Sequence, residues 1–163
     1  MNIFILDNNP KLAAQYHCDK HCVKMILESA QLLCAQFEPK TAPYKRTHYN
    51  HPCSQWVRES ITNFNWLVTF AYHLCDEYKY RYGKVHKSRD VILWCNTNKK
   101  NLNLPNISQT PFCLAMPDVY KTDCPVQSYR NYYLGDKKDI CKWKTRVIPT
   151  WFKENEIKIL RPL

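Results

Sequence analysis

Between Lys11 and Phe37, apolar residues recur at Leu12, Tyr16, Val23, Ile26, Leu27, Ala30, Leu33, Cys34 and Phe37, in steps of mostly three and four. That spacing predicts an amphipathic helix with these residues on its buried face. At about 100° per residue, His17, His21, Lys24 and Glu28 fall in one narrow stripe on another face. Asp19 projects into the apolar arc, beside Leu12, Val23, Ile26 and Ala30. An ionised carboxylate there is costly unless it is paired. It therefore either bonds nearby backbone or an Arg from another helix, or forms part of the wall of a site.

The opening MNIFILD is apolar but lacks a basic leader and a cleavage site. It reads as a short buried strand or extended segment rather than a signal peptide. Glu38 to His51 is a loop, broken by Pro39 and Pro43. The second helix is expected to open at Pro52, with Asn50 or His51 as its cap, and to run to about Tyr80 as the longest in the chain. Val57, Ile61, Phe64, Val68, Ala71, Cys75 and Tyr78 form its core seam. Gly83 is its left-handed stop. Ser88 then caps a short helix from Arg89 to about Asn98. Pro105, Pro111, Pro117 and Pro125 rule out long helices over 99–125. The apolar TPFCLAMPDVY within that stretch is expected to wrap over the helices. Pro125 opens a further helix with Val126, Tyr129 and Tyr133 inward and Arg130 outward. KKDICKWKTR reads as a last basic helix, and the tail as a strand or extended arm. Together these elements predict a mainly α fold, a single domain over 1–163, with a long central helix and an irregular, Pro-rich 99–125 segment.

The charge balance points to a partner. The net charge is +10, and 13% of residues are aromatic, which suits a polyanion, nucleic acid or nucleotide first. Cations and rings alternate most densely in EYKYRYGKVHKSR, Glu77 to Arg89, a pattern that suits phosphates and stacked bases. The plainer reading of that stretch is a solvated helix end whose cations complement the helix dipole. No apolar run is long enough to span a bilayer. Nine Cys, an odd number, with no leader suggest reduced thiols in a cytoplasmic compartment. In HCDKHC the His pair and the Cys pair point about 100° apart on a helix, and no CxxC partner exists, so no metal is expected. Two glycines exclude Gly-rich phosphate loops, and no cofactor is expected.

Leu12-Ala13-x-Gln15 after a short apolar opening resembles the small phage and viral pyrimidine-dimer DNA glycosylases. The closing Pro149-Thr150-Trp151-Phe152-Lys153 is similar to their Pro-Thr-Trp-Tyr-Lys. His51-Pro52 and Arg81-Tyr82-Gly83-Lys84-Val85-His86 match motifs flanking the long helix of related bacterial members. The resemblance implies a compact helical domain whose active site lies where the N-terminus meets the first helix. The family chemistry it implies uses the α-amine of a Thr exposed by loss of Met, which attacks sugar C1′ and forms a Schiff base. Phosphate elimination follows, assisted by a Glu on the first helix.

The chain departs from that pattern at both decisive positions. Residue 2 is Asn2, normally too large for removal of Met1, and an ungapped match sets Val23 where the family has Glu. A Schiff base would then need Lys20 or Lys24 with a lowered pKa. His17 or His21 would serve as acid or base. Asp19 would orient an imidazole or stabilise a developing sugar cation, and Glu28 completes the stripe. Arg46, His48, His51, Arg81, Lys84, His86, Arg130 and Trp151 are the candidate phosphate and nucleotide contacts. The expected function is a phage-type enzyme of glycosylase-like fold, cleaving an N-glycosidic bond in DNA or a nucleotide or acting as a lyase. The alternatives are a non-catalytic sponge for a nucleotide or cyclic-nucleotide signal, and a DNA-binding accessory protein.

Overall fold

The computed structural model describes residues 1–160, with side chains to Asn155. Its elements are α1 (Pro10–Tyr16), α2 (Asp19–Cys34), α3 (Pro52–Glu59), α4 (Ile61–Tyr82), α5 (Arg89–Asn98), α6 (Pro125–Leu134) and α7 (Thr150–Leu160). No strand occurs among the described residues. The fold is mainly α, and α4 is the hub, packing on α1, α2, α3 and α5.

The first expected helix is in fact two. Asn9 opens α1 by accepting from the amides of Lys11 and Leu12. The helix stops at His17, where the backbone turns extended. Tertiary donors take the carbonyls that the next turn would have used. Arg81 donates to Gln15 O and His17 O, and the Trp143 indole N–H donates to Tyr16 O. His17 also turns its own ring back onto Ala13 O, a side-chain bond that competes with helix continuation. Ile26, Ala30, Leu33 and Cys34 of α2 are buried as the pattern predicts. Leu12, Val23 and Leu27, expected inward, are each close to 40% exposed instead.

The long second helix is also divided. Ser60 adopts extended φ and ψ, and its hydroxyl accepts from Asn63 N, so it caps α4. The Asn63 amide reaches back to Trp56 O and closes the end of α3. The freed amide of Ile61 bonds to Pro105 O. Gly83 ends α4 in the left-handed conformation, as expected, with its N–H on Lys79 O. Ser88 precedes α5 but makes no cap bond; its hydroxyl bonds Tyr44.

Three features of the second half differ from expectation. KKDICKWKTR forms only a single 3-10 turn over Lys138–Ile140, and the rest is irregular. Thr150–Leu160 is helical rather than extended; the last part of the tail, 161–163, lies outside the described residues. Arg130 turns inward, donating to Leu6 O and pairing with Asp7.

The N-terminal segment runs extended through the core. Ile3, Phe4, Ile5 and Leu6 are all buried. Phe4 sits at φ +56, an uncommon conformation for a bulky residue. Its ring stacks on His21 at 4.2 Å, and the Asn2 amide oxygen accepts from its backbone N–H. The 99–125 segment straps this region down, as expected of its apolar content. Asn63 holds Thr110, and Ala115 O accepts from the Asn2 side chain. No helix among the described residues is long and apolar enough to cross a membrane.

Candidate active site at the amino terminus

Glu28 lies in the middle of α2, buried, with its carboxylate turned toward the start of the chain. One oxygen, Oε2, accepts from the backbone N–H of Asn2 at 2.7 Å and lies 3.7 Å from the Met1 amine. The other, Oε1, is 3.6 Å from Lys24 Nζ, one turn earlier on the helix. Two amines therefore share one carboxylate. They differ in setting: the Met1 side chain is 3% exposed, and the Lys24 side chain is 68% exposed. The Asn2 bond fixes the carboxylate rotamer, and the Asn2 side chain is itself held by Ala115 O, Ile3 N and Phe4 N.

His51 borders this pair. It caps α3, with Nδ1 accepting from Cys53 N. That bond sets the tautomer, so the neutral ring presents Nε2–H. Burial lowers its pKa first, and the positive Met1 amine and His48 lower it further, while Glu28 opposes them. The ring therefore sits within electrostatic reach of both amine and carboxylate. His48 is exposed, at φ +50, its ring 6.5 Å from that of His51 and its Nδ1 paired with the Thr47 hydroxyl. Arg46 donates to Phe37 O and lies over the Tyr49 ring. A cleft of about 590 Å³ opens between Leu27 and Gln31 of α2 and the Tyr44–Thr47 loop; Met1, Glu28 and His51 are not among its lining residues. Arg46 and Lys45 line it.

The other candidate residues are placed elsewhere. Asp19 is not exposed to a cleft wall. It bonds Arg81 Nη1 at 3.0 Å and takes the Lys144 amide on both oxygens at 2.9 Å. Arg81 has no free edge for phosphate: Nε pairs with Glu77, and the remaining bonds go to Asp19 and the carbonyls that end α1. His17 is fully buried between Ala13 O and Ile3 O, and burial lowers its pKa to about 3. His21 is buried on the Tyr133 hydroxyl at 2.6 Å. Both imidazoles are thus on the core side of α2, while Glu28 faces the terminus. Lys20 and Lys84 are exposed. His86 is half-buried edge-on to Tyr78 and accepts from Ser88 N. Arg130 lies over the half-buried Trp151 ring at 5.2 Å, on the α6–α7 side. Of the imidazole–lysine–carboxylate stripe, Lys24 and Glu28 alone meet at one place.

Sequence reasoning missed the Met1 amine as a member of this group. It sought the family's Glu at Val23 because the match allowed no gap. The available signal was Glu28, an acid three and four residues beyond Met25 and Lys24 on a helix whose neighbouring turns are apolar.

No group of His, Cys, Asp and Glu among the described residues is arranged to hold a metal ion. No curated protein and no solved structure matches the chain. A family model described as pyrimidine dimer DNA glycosylase matches residues 1–91, from the amine and Glu28 through His51 to the end of α4 and the start of α5. That match covers more than half of the 163 residues, and the chain belongs to the pyrimidine dimer DNA glycosylase family.

Proposed function

We propose that the protein is a DNA glycosylase–lyase whose nucleophile is the amine of Met1 and whose acid–base group is Glu28. The observation that carries this reading is the Met1 amine 3.7 Å from a buried carboxylate that Asn2 N–H holds in place. A positioned carboxylate can take the amine's proton, which leaves a lone pair for attack on sugar C1′. The N–C1′ bond then forms as the bond from C1′ to the base breaks; the base leaves with the proton Glu28 had taken, which restores the carboxylate, and a second amine proton passes to O4′ as the ring opens. Ring opening gives an imine, and loss of a C2′ proton to Glu28 expels the 3′ phosphate. Asn2 is compatible with this chemistry because a retained Met1 still ends in a primary amine. His51 would supply a neutral N–H donor at the same centre, and Arg46 and Lys45 would meet phosphates along the cleft.

The test is borohydride trapping on ultraviolet-irradiated duplex DNA, followed by peptide mapping of the adduct. An adduct on Met1, lowered about 10²-fold or more by Glu28→Gln, supports the reading. An extra residue placed ahead of Met1 should abolish it. An adduct on Lys24 would move the nucleophile to the exposed amine and refute the assignment to Met1. The cleft volume also falls in the range of small-ligand sites and favours, as a second reading, capture of a free nucleotide. Recovery of intact nucleotide from the protein, with no adduct on DNA, would select it.

A further inference from the structure

None of the nine cysteines is in a disulfide, yet six of them meet in pairs. Cys53 Sγ and Cys113 Sγ are 3.4 Å apart, Cys34 Sγ and Cys95 Sγ are 3.5 Å apart, and Cys18 is hydrogen-bonded to Cys141. In every pair one member lies within the family-matched residues 1–91 and the other beyond them. The pairs differ in access. Cys34 and Cys95 are both sealed in the core, whereas Cys113 is half-exposed over a buried Cys53.

We propose that Cys53 and Cys113 form a thiol–disulfide site that fastens the 99–125 strap over the amino-terminal segment. The sulfurs need close only from 3.4 Å to about 2.05 Å. Cys113 lies on the strap two residues before Ala115, the residue that holds the Asn2 side chain. Cys53 opens α3 beside His51, and both it and His51 feel the charge of the Met1 amine. A bond here therefore ties the strap to the wall of the amine–carboxylate site. Contact with Cys113 and burial raise the Cys53 pKa and keep it a neutral thiol, so the more accessible Cys113 is the one that meets the oxidant first.

The oxidant required is a hydroperoxide. The Cys113 thiolate attacks one peroxide oxygen and the O–O bond breaks. Hydroxide leaves and takes up the proton Cys113 had released, forming water and a Cys113 sulfenic acid. Cys53 sulfur then attacks Cys113 sulfur, the S–O bond breaks, and the hydroxyl departs as water with the Cys53 proton. Two thiols lose two electrons, and the peroxide gains them.

The experiment treats the folded full chain with an equivalent of hydrogen peroxide, alkylates remaining thiols in denaturant and digests without reduction. A Cys53–Cys113 linked peptide is expected, lost on reduction and absent from Cys113→Ser, with Cys34 and Cys95 alkylated. Amide exchange over 102–117 and at Asn2–Phe4 should slow several-fold on oxidation and recover on reduction. Accumulation of Cys113 sulfinic acid with Cys53 still alkylated would overturn the proposal. So would a Cys113 link to the exposed Cys124, or unchanged exchange in the oxidised protein. Cys113→Ser alters a half-exposed side chain, so it serves as the variant should Cys53→Ser fail to fold.

Discussion

His17 is the group whose protonation is most costly to the fold. It anchors the N-terminal segment through Ile3 O and ends α1 through Ala13 O, and it is 0% exposed. Two carbonyls favour the imidazolium, which could donate to both. Burial opposes it and is the largest effect, with His21 and Arg81 adding like charge; the outcome is a pKa lowered from 6.5 to about 3. Above pH 6.5 the ring is neutral in both folded and unfolded chains, and its stability contribution is fully present. Below pH 6.5 the unfolded chain binds the proton first, so stability falls as pH falls and levels off near pH 3. At 1.36 kcal/mol per pH unit, the full loss from this residue is about 5 kcal/mol. That is comparable with the whole stability of many domains. Other groups also titrate in acid, so the measurement compares urea unfolding of the wild type with His17→Gln at several pH values. Gln keeps one donor and loses the titration. The difference in unfolding free energy should shrink by about 3 kcal/mol between pH 6.5 and 4. Parallel curves, or a His17 ring proton that titrates near pH 6.5 by NMR, would refute the reasoning.

Two further predictions concern the scaffold. Glu77 is buried against the fully buried Arg81 and against the more exposed Arg146, so Glu77→Gln should cost about 3 kcal/mol and lower the melting temperature by roughly 10 °C, because it leaves a buried cation short of its partner. Arg146→Ala should cost no more than about 1 kcal/mol, and equal losses from the two would contradict the assignment. The two glycines should respond differently to Ala in calorimetric melts. At Gly83, where φ is +66 and the space is open, the cost is backbone alone, about 1 kcal/mol. At Gly135 the new Cβ would overlap the Tyr120 phenol, which donates to Asp136, and the cost should reach about 2–3 kcal/mol and shrink in a Tyr120→Ala background.

What the sequence determined was local. His51-Pro52 and Gly83 mark helix ends, and those ends occur near where the pattern predicts them, because caps and stops act on the adjacent backbone. The mainly α class follows from the periodicity, and the Leu-Ala-x-Gln and His-Pro motifs point to the family. The interruption at His17 was set by partners distant in sequence, and that at Ser60 by its own cap on Asn63 together with the distant Pro105. Arg81 and Trp143 take the last carbonyls of α1, and Asn63 and Pro105 reorganise the junction of α3 and α4. Periodicity is blind to both, since it describes a helix as though no other part of the chain could bond to its backbone. The same limit hid the site. On a helical projection Asp19 falls in the apolar arc and Glu28 in the polar stripe, but only the tertiary structure gives Asp19 to Arg81 and the Lys144 amide and turns Glu28 to the Met1 amine. The first residues of the chain reach Glu28 and not Asp19, so which carboxylate meets the terminus is decided by packing rather than by spacing.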